Sequence, residues 1–370
     1  MSTETFSITV FRGDGIGVDV TNSAIEVLDA VQTDVGGFRL QYEYLHAGAG
    51  YFRETGKDIA PGAEAKAGSA DAIYLGAIGL PGVRHEDGTE ISPHLRLRDQ
   101  FELYAGVRPV KAYPNTPRRL SDPRAAEIDL IVLRESTEGL FYSAAVHDRS
   151  VVIGDDEVRD ILRITRPTTE KLHDFAFELA RKRKAQGSGQ GLVTCVDKAN
   201  VFRSMAFFRK VFDERAAKFP DIERAYNYVD AQALDLIRQP WAFDVLVTEN
   251  MFGDILSDLA GGLVGGMGMA ACAEIGDHHG LFQPAHGSAP DIMGQDWANP
   301  LAAILSGALM LDYLGDNSGN NKLYEAARQI EHAVYHGFST QRIRPMEFGG
   351  DMGTHAVTTE LLDILRTSRQ

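Results

Sequence analysis

At 370 residues the chain is long enough for two domains of ordinary size, and its 44% hydrophobic content suits a globular core. The net charge of −15 argues against nucleic acid as a partner, so an anionic ligand requires a local cluster of Arg or Lys. The only two cysteines, Cys195 and Cys272, argue against a disulfide framework and for a reducing compartment. The opening "MSTETFSITV" lacks the basic and apolar regions of a signal peptide, and no run is apolar enough to span a bilayer. A soluble, cytoplasmic protein without a membrane partner is expected.

In chain order, strand-like apolar runs alternate with helical patterns, which predicts an α/β architecture with a mostly parallel sheet. The first run, "FSITV", leads into "FRGDGIGVDV" (11–20) and the helical pattern "TNSAIEVLDAV". Strand, glycine cluster and helix is how a dinucleotide-binding unit begins. The spacing differs from the standard fingerprint: Gly13, Gly15 and Gly17 give G-x-G-x-G, and Asp34, a loose candidate for the ribose-binding acid, sits in a loop. The competing reading is a packing turn that uses the positive φ open to glycine. "AIYLGAI" is the next strand. Arg98 and Arg108 then lie in "LRLRDQFELYAGVRPVK", and Arg134 ends the strand "DLIVLRE". Arginine holds a carboxylate in a bidentate fork, so several converging on one point would bind a di- or tricarboxylate. Each taken singly is more often a surface ion-pair residue. Arg134 stands apart because it follows an apolar strand at the edge where α/β sheets bind ligands.

"RPTTEKLHDFAFELARKRKA" reads as a helix with Leu172, Phe175, Ala176, Phe177, Leu179 and Ala180 on its apolar stripe and "RKRK" as a solvated C-terminal cap. After the strand "GLVTCVD", Lys198 in "TCVDKANVF" is either a solvated lysine or a base in a cleft. Asp230 follows the strand-like "AYNYV". In "ENMFGDILSDLAGG", Asp254 and Asp258 are four apart at a helix start and share a face, which suits Mg²⁺ or Mn²⁺ as well as it suits a helix N-terminus. The stretch "LFQPAHGSAPDIMGQDWANP" could wrap a nucleotide, with Asp291 accepting from a ribose diol, or be an ordinary Ω-loop. No linker or repeat divides the chain, so two domains would be interleaved.

Taken in order, "GDGIG", "LRDQFELYAGVRP", "LRESTEG", "VDKANV", "VDA", "FGDILSD" and "HGSAPDI" with its following "ANP" resemble the β-decarboxylating dehydrogenase family, which includes isopropylmalate, isocitrate, homoisocitrate and tartrate/D-malate dehydrogenases. The resemblance implies a two-domain isopropylmalate/isocitrate dehydrogenase-like fold rather than a standard Rossmann fold. Residues 1–103 plus 265–370 would form the cofactor domain, and 104–264 an inserted, dimer-forming domain. "GDGIG" becomes a packing turn beside the cofactor cleft. The implied cofactor contacts are Ile16, Gly76 in "GAIGLPG", Asn200, His286, Gly287, Ser288, Ala289, Asp291 and Asn299. A carboxylate at Asp291, where NADP-dependent members carry a basic residue, implies NAD. Arg98, Arg108 and Arg134 would clamp a malate. Asp254 and Asp258, with Asp230 of a second subunit, would hold Mg²⁺ or Mn²⁺, and Lys198 of that subunit would act as base. The partner is therefore a second copy of the chain in a homodimer with shared sites.

One position departs from the pattern. Seven residues after Arg134 the family has a tyrosine that protonates the enol, and here stand Phe141 and then Tyr142. Strand alternation would turn the two apart, leaving the proton donor open between Tyr142, water or another group. Ser92, His94 and Leu95 form a mixed pocket for the substrate's variable group, compatible with isopropylmalate and with tartrate/D-malate types. The alternative functions are a non-catalytic regulatory subunit or a family member with an altered protonation step that does not fully decarboxylate: Phe141 favours both, and the retained Lys198, aspartates and arginines disfavour the first.

Overall fold

The computed structural model describes residues 3–143 and 150–367. Its strands are β1 (Glu4–Gly13), β2 (Phe38–Leu45), β3 (Ala72–Ala77), β4 (Ala105–Lys111), β5 (Asp129–Glu135), β6 (Val151–Ile153), β7 (Glu157–Arg159), β8 (Leu192–Asp197), β9 (Glu223–Tyr228), β10 (Val245–Thr248), β11 (Ala271–Ile275) and β12 (Gly280–Pro284). The helices are α1 (Gly17–Val35), α2 (Ala49–Thr55), α3 (Ala63–Ser69), α4 (Pro93–Gln100), α5 (Arg166–Gln186), α6 (Arg203–Ala216), α7 (Val229–Arg238), α8 (Asn250–Leu263), α9 (Leu301–Ser318), α10 (Asn321–Ser339) and α11 (Thr354–Thr367).

Ten strands form one sheet in the order β2-β1-β3-β12-β11-β4-β5-β10-β8-β9, and β6 with β7 makes a separate hairpin. Pairing is parallel except where β11 meets β12 and β4, and β4 meets β5. The mostly parallel α/β fold expected from the alternation of patterns is what forms. Both chain ends build one half of the sheet (β2, β1, β3, β12, β11), and the middle of the chain builds the other. The two halves join through a short antiparallel ladder in which Ala273 faces Val107, Glu274 faces Gly106 and Ile275 faces Ala105.

Strand alternation sorts the two faces of this junction. Arg108, Arg134 and Glu274 point to one side, while Val107, Ile131 and Ala273 join the core under α5 and α9 on the other. The helices follow their apolar spacing: α1 buries Val20, Ala24, Val27, Leu28 and Val31. At the start of α8 the Glu249 carboxylate accepts from Phe252 N at 3.2 Å, capping the helix that carries Asp254 and Asp258.

The turn "GDGIG" is a packing device. A Cβ on Gly13 would stand 1.9 Å from Ala77 O, and one on Gly15 would stand 2.0 Å from Ser288 O; both glycines have positive φ. Ile16 N donates to Ser288 O at 2.7 Å, tying the turn to the "HGSAPDI" loop. Between the glycines, buried Asp14 accepts from Ala49 N, Gly50 N and Gly79 N at 2.7–2.8 Å. That places its charge on the N-terminus of α2. The charge run ending α5 is not simply a solvated cap: Arg183 is buried, donates to Asp244 Oδ1 at 2.7 Å, and only its neighbours face water.

Candidate active site

Three guanidinium groups from three elements meet in one cavity. Arg98 comes from the last turn of α4, Arg108 from β4 and Arg134 from the end of β5; all three side chains are buried. Asp254 and Asp258, one turn apart on α8, face them. Arg134 bonds to Asp254 and donates through Nε to Asn250 Oδ1 at 2.8 Å, while Arg108 lies 3.7 Å from Asp254 and 3.9 Å from Asp258. Burial, then the neighbouring Arg108 and Arg98, pull the Arg134 pKa down to about 10. Such crowding of like charge stores affinity for anionic ligands. The cavity holds about 350 Å³, and its wall also includes Gly76, Ser92, His94, Leu95, Phe141 and Gly287.

His286 links this space to a second cavity of about 510 Å³ lined by Ile16, Met267, Ile292, Trp297, Asn299 and Glu347. Its Nε2 is buried without a protein partner, and burial lowers its pKa, so a neutral ring is presented to whatever fills the cleft. Glu347 accepts from Asn299 Nδ2 at 2.9 Å and from Gly268 N at 3.1 Å, which fixes the asparagine. Ala289 takes a left-handed φ of 35°, Ser288 is buried against Gly79 O, and Asp291 lies exposed beyond them. An orphaned ring nitrogen, a glycine-bearing loop and an elongated cleft fit a dinucleotide.

Asp254 and Asp258 supply the hard oxygen donors that Mg²⁺ or Mn²⁺ prefers. Among the described residues, no three His, Cys, Asp or Glu side chains converge as a metal cage within one chain. Asp230 is elsewhere: it starts α7 and accepts from Lys198 Nζ at 2.5 Å. Neither residue lines the cavity, and Asn200 is exposed beside them. The single chain therefore gathers the arginines, Asp254 and Asp258, and leaves Lys198, Asp230 and Asn200 on an outer edge.

Residues 140–143 form a 3₁₀ turn rather than a strand, so strand alternation does not govern Phe141 and Tyr142. The turn still separates them. Phe141 lines the cavity with the Arg134 guanidinium 4.8 Å from its ring centroid, whereas the Tyr142 ring lies 3.8 Å beneath Arg163 and does not line that space. Glu274, Asn250 and Glu347 are contacts that motif reading passed over. Glu274 did leave a signal: it is a lone acid within the apolar strand "AACAEI".

Residues 7–365 match the profile of the Isocitrate/isopropylmalate dehydrogenase family. A 3-isopropylmalate/3-methylmalate dehydrogenase of Methanocaldococcus jannaschii is 39% identical over 97% of this chain and 98% of its own. Among solved structures, isocitrate dehydrogenase from Methylococcus capsulatus superposes with a TM-score of 0.83 at 33% identity, covering 98% of this chain and 99% of that one. A β-decarboxylating dehydrogenase from Thermococcus kodakarensis gives 0.77 at 33% identity, covering 98% and 96%. The class is thus that of the β-decarboxylating dehydrogenases. The chain belongs to the isocitrate/isopropylmalate dehydrogenase family. Among the described residues no helix is long and apolar enough to cross a membrane.

Proposed function

We propose that the protein carries out NAD-dependent oxidative decarboxylation of a 3-substituted malate of the isopropylmalate or tartrate/D-malate type, assisted by Mg²⁺ or Mn²⁺. The observation that carries this reading is the convergence of Arg98, Arg108 and Arg134 with Asp254 and Asp258 on one cavity that opens at His286 into a cleft of dinucleotide size. The arginines bind and orient the substrate carboxylates. Asp254, Asp258 and Asp230 of the partner subunit would hold the cation, which when bound supplies positive charge for the 2-hydroxyl oxygen. Ile16, Gly76, His286, Gly287, Ser288, Ala289, Asp291 and Asn299, with Asn200 of the partner subunit, would hold NAD, the hydride acceptor. Lys198 of the partner subunit is assigned the proton of the 2-hydroxyl. Phe141 lines the cavity wall and brings no proton to the enol left by CO₂ loss, so that proton comes from water or another group.

The location of Lys198 and Asp230 outside the cavity of their own chain supports a homodimer with shared sites. Large apolar side chains are exposed in the middle of the chain, among them Val152, Val158, Phe202, Leu234 and Ile255, and such a surface favours burial against a second copy. We assign residues 104–264 to that dimer-forming domain and residues 1–103 plus 265–370 to the cofactor domain, a division supported by the two halves of the sheet. The test is NAD reduction in the presence of Mn²⁺ against isopropylmalate, D-malate, tartrate and isocitrate. Turnover of one of the first three is expected, and no turnover of any malate would overturn the reading.

A further inference from the structure

Beneath the arginines lies a carboxylate that the proposed chemistry does not use. Glu274 is fully buried on β11, opposite Gly106, where a Cβ would stand 2.9 Å from Glu274 Oε2; the glycine leaves it room. Its Oε1 is 2.9 Å from the Arg98 guanidinium and 3.8 Å from that of Arg108. Burial alone would raise its pKa, but Arg98, Arg108 and Arg134 outweigh that and hold it below the ordinary range, so the group is an anion.

We propose that Glu274 sets the charge of the substrate, cancelling one of the three guanidinium charges so that the cavity takes a malate with two carboxylates and an uncharged third substituent and rejects tricarboxylates. The inference rests on the function proposed above and narrows its substrate class. Asp254 and Asp258 match a divalent cation charge for charge, and Asp230 of the partner subunit is matched by the Lys198 it pairs with, so the balance is decided by the arginines and Glu274. Two net positive charges remain for the two carboxylates of the malate core. The pocket for the third substituent adds none. His94 is half-buried there with its Nδ1 out of water and unpartnered, and desolvation, then Arg98, drive its pKa down to about 3, so the ring is neutral. Glu90 on the same wall is itself an acid and occupies Arg84 at 3.0 Å. A third carboxylate would enter a pocket to which the described residues of this chain bring no free cation, with an acid at its rim.

The experiment compares isopropylmalate with isocitrate in two ways: kcat/KM with NAD and Mg²⁺, and equilibrium binding by calorimetry with Mg²⁺ and no NAD. The native enzyme should favour isopropylmalate in both. Glu274→Gln should tighten isocitrate binding by about tenfold or more while changing isopropylmalate less, and Glu274→Asp, which keeps the charge, should keep the native preference. Native preference for isocitrate would overturn the proposal, as would a folded Glu274→Gln protein with unchanged discrimination. If Glu274→Gln does not fold, loss of discrimination in Glu274→Asp or in the native enzyme overturns it, and its retention in both supports it. Absence of both turnover and binding for every malate would instead defeat the function on which it rests.

Discussion

Lys198 Nζ lies 2.5 Å from Asp230 Oδ1, joining the segments that follow two neighbouring strands at the outer edge of the sheet. The pair is turned away from the arginines of its own chain and stands beside exposed Phe202 and Tyr228. In the dimer proposed above, a proton acceptor and a carboxylate placed there would serve a second copy. Inactive Lys198→Ala and inactive Asp254→Asn proteins, mixed and reassorted, should therefore recover roughly a quarter of native activity, because hybrid dimers hold one intact site. Measured activity no higher than that of the separate variants would refute the sharing.

Asp254 is half-exposed toward the cavity and tied to Arg134, so its carboxylate is available to a cation while the helix holds its position. Asp254→Asn should lower kcat by about 10²–10³-fold, and EDTA should do the same to the native enzyme, reversibly on adding Mn²⁺. Full activity with EDTA in excess would reduce Asp254 and Asp258 to a helix start.

Asp291 sits exposed at the mouth of the loop that carries Ser288 and Ala289. A 2′-phosphate placed there would face a carboxylate, so NAD should exceed NADP in kcat/KM on the order of 10²-fold, and Asp291→Asn should narrow the gap. Comparable efficiencies in the native enzyme would exclude a ribose role for Asp291.

Phe141 occupies the cavity wall that Tyr142 does not reach. Tyr142→Phe should change kcat by less than about threefold, while Phe141→Tyr should be tolerated and speed the final protonation; a general acid is typically worth about 10²–10⁴ in rate. A loss of that size in Tyr142→Phe, with NAD binding intact, would assign the proton to Tyr142.

His173 on α5 is fully buried, edge-on to Phe208 and Phe212 at 4.5 and 5.2 Å between centroids, and burial drives its pKa down to about 3. A histidine depressed in the folded state binds fewer protons there than in the unfolded chain. Its contribution to stability is complete above the unfolded value near 6.5 and is lost as pH falls toward 3, by up to about 1.4 kcal/mol per pH unit. Thermal unfolding of His173→Phe should show a shallower acid slope between pH 6 and 4 than the native protein. Parallel slopes would place the acid sensitivity elsewhere.

The parts of the site legible in the sequence were those whose local pattern also fixes their direction. Arg134 ends an apolar strand, so its position at the sheet edge follows from "DLIVLRE"; Asp254 and Asp258 share a helix face by their spacing. What escaped depends on contacts far apart in the chain. Glu274 meets Arg98 only because β11 pairs antiparallel with β4, and Arg183 is buried only because Asp244 lies under it. The 3₁₀ turn at 140–143 carries no periodic signal in four residues, so a strand was the natural but mistaken premise there.

The pairing of β12 with β3, with Leu281 beside Ile73 and Phe282 beside Tyr74, sets an order of events during synthesis. Strands β4, β5, β8, β9 and β10 have all emerged by residue 248, and they can assemble while the ribosome is still translating. The half that contains β1, β2 and β3 must wait some two hundred residues for its missing strand, holding the apolar edge of β3 open meanwhile. Closing so long a loop late makes β1 to β3, made before the central strands, the last to become native, and the segment most dependent on protection from aggregation before it does.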